Sequence, residues 1–179
     1  MRSHRLTPAL VLLLTSTALT GCDEEPITLT ACQEAAQQPA SLQLSSGYDS
    51  FEWVEDGGYL PAYFGSQGGA HAYVGVRVSG IHPGNALNPL SAPVVQWDAW
   101  DGDELVGSGF THDQLEENDG SYELHGAMMY VDTEYAWSSA EDEIPSETVQ
   151  VVVSVEDTCG TVLEERLEVY LGNRYQPEE

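Results

Sequence analysis

The sequence predicts an all-β protein, an antiparallel sandwich of two sheets in the immunoglobulin-like class. Three observations carry that expectation. From Ala40 onwards apolar residues recur at every second position, clusters of Gly, Pro, Asn and Asp interrupt them at short intervals, and no convincing amphipathic helix is present. Short strands with frequent turns and no helices favour two packed sheets, with a small barrel as the second architecture of this type.

The clearest strand runs from His71 to Val78, with Ala72, Val74, Val76 and Val78 on one face and His71, Tyr73, Gly75 and Arg77 on the other. Val94 to Trp100 and Glu104 to Gly109 flank Asp101-Gly102-Asp103, and an Asp-Gly pair between alternating segments is a strong hairpin signal. Tyr122 to Val131 follows an acidic turn at Glu116 to Gly120. Val149, Val151, Val153 and Val155 alternate with polar residues, and Asp157-Thr158-Cys159-Gly160 then turns the chain into Val162 to Leu171, so the last two strands form a hairpin. Weaker strands are expected at Ser41 to Leu44, Phe51 to Val54 and Tyr59 to Phe64, where Pro61 points to an edge. The proline-rich stretch from Ile81 to Pro93 reads as an irregular crossover. The four tryptophans read as packing residues.

Ahead of the domain, a basic start (Arg2, His4, Arg5), an apolar run (Leu10 to Leu14) and Leu19-Thr20-Gly21-Cys22 follow one another. The pattern resembles a bacterial lipoprotein signal, and the resemblance implies that Cys22 becomes the lipidated first residue of the mature chain. The apolar run is too short to span a bilayer. Three regions are therefore expected: a signal peptide over 1–21, a lipidated acidic tether over 22–39 and the β-domain over 40–175. Two or three acyl chains would hold the protein to the cell envelope. The outer membrane or cell surface is the expected place, with the periplasmic face of the inner membrane as the alternative because Asp23 follows the lipid.

Without residues 1–21 only Arg77, Arg166 and Arg174 face all 30 carboxylates, and the chain has no lysine. So negative a surface repels phosphate backbones and anionic headgroups, which argues against nucleic acid as a partner and favours cations and cationic partners. With Cys22 assigned to lipid, Cys32 and Cys159 remain as a pair in an oxidising compartment, and a disulfide between them is expected. No Cys-x-x-Cys spacing supports a metal or redox alternative.

The chain lacks the Gly-x-Ser-x-Gly of a nucleophile elbow, the Walker and dinucleotide glycine patterns, and His-Glu-x-x-His. No catalytic residue is assigned and no enzyme is expected, a hydrolase ranking third among functions. No cofactor is expected, with calcium as the possibility, because Asp98, Asp101 and Asp103 gather hard oxygen ligands about one turn. A hairpin needs the same Asp-Gly-Asp.

The most idiosyncratic segment is Gly65-Ser66-Gln67-Gly68-Gly69-Ala70-His71, followed by Val74-Gly75-Val76-Arg77-Val78-Ser79-Gly80. Together with the aromatic-acidic stretch Phe51 to Gly58 and the Leu60-Pro61 step, it resembles a group of acidic lipoproteins from predatory and environmental bacteria. That resemblance implies a β-sandwich and no known activity. Gln67, His71 and Arg77 form the candidate surface site, and Arg77, the only basic residue between positions 6 and 165, should pair with a carboxylate. The expected function is a lipid-anchored envelope module, binding or structural, that presents one sheet or loop end to an envelope protein or a glycan. A calcium-binding envelope protein is the alternative.

Overall fold

The computed structural model describes residues 29–65, 69–132 and 147–172. A short helix, α1 (Leu29–Ala35), precedes ten strands: β1 (Ser41–Ser46), β2 (Glu52–Trp53), β3 (Gly58–Phe64), β4 (Ala70–Ser79), β5 (Val94–Asp101), β6 (Glu104–Thr111), β7 (Glu116–Asn118), β8 (Ser121–Val131), β9 (Glu147–Glu156) and β10 (Val162–Gly172). Period-two alternation decides the phase of the long strands: in β4, Ala70, Ala72, Val74, Val76 and Val78 are buried while His71, Tyr73, Arg77 and Ser79 are not. Three short elements escape that logic. All residues of β2 and β7 are exposed, and α1 buries no side chain, so none carries an apolar period.

The strands do not form an antiparallel immunoglobulin-like sandwich. They close into a seven-strand mixed barrel in the order β4-β3-β10-β9-β5-β6-β8, with β8 returning to β4 through eight register pairs from Ala70↔Val131 to Val78↔Tyr122. Inward-apolar, outward-polar alternation is common to barrels and sandwiches, so the period alone cannot separate them. Strand length and pairing decide. β4 is long enough to pair β8 on one edge while β3 and then β1 share the other, and closure satisfies edges a sandwich would leave open. The mixed character comes from β3 and β10, which run parallel over Gly58–Pro61 and Val169–Gly172. Pro61 therefore marks no edge: it lies where β3 ends its pairing with β10 and, from Ala62, begins pairing with β4.

Side chains fill the interior. Trp97, fully buried, is the largest, and around it the small residues Ala62, Ala72 and Ala99 and a set of valines keep the wall close. On β10, Leu163, Glu165, Leu167, Val169 and Leu171 share the inward phase.

One barrel end is tied together by the expected disulfide. Cys32 in α1 is bonded to Cys159 in the β9–β10 turn, with their Cα atoms 5.6 Å apart. Asp157 organises that turn: Oδ1 accepts from the Cys159 and Thr161 backbone N–H groups at 2.9 and 2.8 Å, and Oδ2 accepts from His82 N–H at 2.8 Å. The last bond draws in the segment after β4, which crosses to β5, a strand not adjacent to β4.

Candidate binding face

The outward row of β4 carries the two described residues of the sequence-derived site. His71 and Arg77 lie six positions apart on one face, about 20 Å along the strand. Gln67 and the lipidation residue Cys22 lie outside the described residues. Neighbouring strands determine what surrounds each of the two.

Around His71 the register gathers aromatic rings. Tyr63 of β3 lies opposite His71 on one side, Tyr130 of β8 on the other, and Met128 opposite Tyr73. Tyr130 is in turn opposite Ser108 of β6, two residues before the outward-facing Phe110. Ring centroids lie 5.0 Å apart for His71 and Tyr73, 5.9 Å for Tyr63 and Tyr73, and 4.8 Å for Tyr48 and Tyr73, with tilted and edge-to-face geometry typical of favourable aromatic pairs. Most of these rings remain open to solvent: Tyr48 is 61% exposed, Tyr63 47%, Tyr130 61% and Phe110 77%. The result is an outward face with aromatic residues on four adjacent strands, its ring contacts centred on Tyr73.

Tyr48 reaches this face because the β4–β8 ladder is interrupted between Val74 and Val76, where β8 bulges at His125 and Gly126. Gly126 has φ +71°, and a Cβ there would lie 2.6 Å from the Tyr48 carbonyl oxygen. Across the ladder, a Cβ on Gly75 would meet Ser45 Oγ at 2.6 Å and clash with the Leu124 carbonyl. The loop after β1 can therefore lie close against the wall only over glycines.

Arg77 sits in a different setting. Its Nε and Nη2 both approach Glu123 Oε1 at 2.6 Å, and its guanidinium carbon lies 4.0 Å from the Phe51 ring centroid. Burial alone would raise the Glu123 carboxyl; hydrogen bonds from the Asn118 and Arg77 side chains, the Arg77 charge and His125 outweigh it and hold the group below its usual value. Arg77 thus has the carboxylate partner its isolation called for and stands neutralised.

The three acidic residues considered for calcium are dispersed. Asp98 points outward from the middle of β5 and accepts from Gln96 Nε2 at 2.7 Å, while Asp101 and Asp103 are exposed at the β5–β6 hairpin. Among the described residues no three His, Cys, Asp or Glu side chains converge on a metal position. Sequence reasoning missed Tyr48, Tyr63, Tyr130 and Phe110 as members of one surface. The alternation that sends valines inward does send tyrosines outward, but only the pairing of β4 with β8 and of β8 with β6 makes them neighbours.

No protein-family model and no curated protein sequence matches the chain. Among solved structures it is similar to a DUF4466 family protein from Parabacteroides merdae, with a TM-score of 0.27 and 10% identity, over 74% of this chain and 46% of that one. That likeness bears on neither fold nor function.

Proposed function

We propose that the protein is a lipid-anchored binding module of the cell envelope that engages a neutral surface glycan across its aromatic face. The observation that carries this reading is the row Tyr63, His71 and Tyr130 on neighbouring strands, with Tyr48 and Tyr73 beside it and Phe110 two residues along β6 from its end. Exposed tyrosines offer an apolar ring and a polar edge together, and the C–H face of a pyranose stacks on such rings while its hydroxyls find the phenols and imidazole. A formal net charge of −25 works against anionic polymers, so among glycans it favours an uncharged one. Lipid on Cys22 would hold the barrel to the membrane.

Affinity electrophoresis of the full chain in gels containing neutral or anionic bacterial polysaccharides tests this reading. Neutral polysaccharide should retard the protein, and Tyr63→Ala with Tyr130→Ala should weaken retention at least tenfold with little change in Tm, because both rings are largely exposed. Equal retention of the variant, or no retention by any neutral polymer, would sink the proposal.

A further inference from the structure

A second and independent site lies where the barrel wall is not laddered. Among the described residues β1 pairs only with β2 and β4, and β10 from Val162 to Glu168 pairs with β9 alone, so β1 and the first half of β10 face each other without a shared ladder. An open groove of about 240 Å³ follows this seam, lined by Ala40, Ser41, Leu42, Leu163, Glu164 and Glu165.

Its chemistry is set by one side chain. Glu165 takes the inward phase of β10, opposite the fully buried Val153, and its Oε2 is buried with no hydrogen-bond partner. Burial pushes its carboxyl above the usual value. The other polar groups of the lining are engaged: Ser41 Oγ with Ser79 Oγ at 2.8 Å, and Glu164 with Arg166 at 2.8 Å. Nor, among the described residues, does the chain supply a free guanidinium or ammonium of its own. It has no lysine, and the two described arginines are held by Glu123 and Glu164.

We infer that the seam is a binding site for a small organic ammonium ion, its head on the Glu165 carboxylate and its short aliphatic stem between Leu42 and Leu163. An ammonium group brings three N–H donors to a single carboxylate, whereas calcium wants six or more oxygens that this lining does not provide. Anions are repelled by the acidic chain. The groove is smaller than drug-sized sites and suits a ligand of a few heavy atoms. The assignment does not depend on the aromatic face.

Thermal unfolding and calorimetry of the full chain at pH 7.5 and fixed ionic strength, with n-butylammonium, n-butanol or tetramethylammonium, test the inference. n-Butylammonium should bind saturably and raise Tm by about 5 °C or more at a hundredfold excess over its Kd. The alcohol lacks the charge and tetramethylammonium lacks the N–H donors, so neither should match it. Glu165→Gln should cost at least tenfold in affinity. Leu163→Trp, which fills the groove and keeps the carboxylate, should abolish binding even if the first variant proves unstable. An equal response to tetramethylammonium, or an unchanged response in both variants, would show general screening of an acidic surface and overturn the site.

Discussion

The barrel is closed differently on the two edges of the β4 region, and the difference shows in two glutamates. Between β4 and β8 eight register pairs run the length of both strands, and Glu123 on that seam is almost fully buried yet matched by Arg77. Between β1 and β10 no ladder forms; a disulfide joins the helix before β1 to the turn before β10, and Glu165 beside the gap has an oxygen without a partner. A hydrogen-bonded seam specifies position residue by residue and lets opposite charges be placed face to face. A covalent staple holds two strand starts together and leaves the wall between them free to open.

Removing the staple should have the largest effect. Replacing Cys32 and Cys159 by Ser releases a closed loop with a sequence separation of 127, which in the chain-entropy model is worth up to about 5 kcal/mol and more often 2 to 4. Chemical unfolding measures the loss. Hydrogen exchange should locate it, with β1 and the first half of β10 losing protection before β4 and β8. Uniform loss over all strands would mean that the seams are not independent.

Next comes the tight seam. Gly75→Ala places a methyl against the Leu124 carbonyl and Ser45 Oγ, and overpacking against backbone should cost about 2 to 3 kcal/mol. A variant as stable as the parent would mean that the bulge at His125 and Gly126 shifts easily, and the contrast between the seams would weaken.

The smallest effects come from the glutamates, and they should have opposite signs. Because the Glu123 carboxyl is held below its usual value in the folded state, it stabilises the fold above the ordinary carboxylate range, and that contribution is lost as pH falls through the depressed value. Glu165 is shifted upward, so its penalty is absent in acid, grows as pH rises through the ordinary carboxylate value and is complete above the raised one. Glu123→Gln should therefore lower Tm at about pH 7, by about 1 to 2 kcal/mol of stability, and Glu165→Gln should raise it by less than about 1 kcal/mol. Both differences should shrink toward about pH 3. Thermal scans from pH 3 to 7 decide, and the same sign for both variants would refute the comparison.

These contrasts also mark where the sequence was informative. The long strands were legible because alternation at Val74, Val76 and Val78, or at Val149 to Val155, is a local property of the chain. Closure was not. The parallel meeting of β3 with β10, reinforced by the Tyr59 hydroxyl donating to the Gly172 carbonyl at 2.7 Å, joins segments 113 residues apart and leaves no local trace. The same holds for the candidate face: His71 and Arg77 stood out by phase and by scarcity of charge, whereas Tyr130 became a neighbour of His71, and Phe110 joined the same side of the wall, only through ladder order. The disulfide was legible by elimination, once Cys22 was set aside. The open seam could not be foreseen, because Glu165 reads like any other acidic residue in a chain with 30 of them.

The bond between Cys32 and Cys159 also determines how the barrel carries load. Tension applied between the chain ahead of Cys32 and the end of β10 passes through the sulfur atoms into the turn before β10, and everything from β1 to β9 lies outside the force path. A strand that would otherwise be peeled first, β1 with its single long ladder to β4, is mechanically shielded. Under pulling, the oxidised protein should yield only by stripping β10 from β9 and β3, while the reduced protein should pay out the additional length of the loop, about 400 Å at full extension.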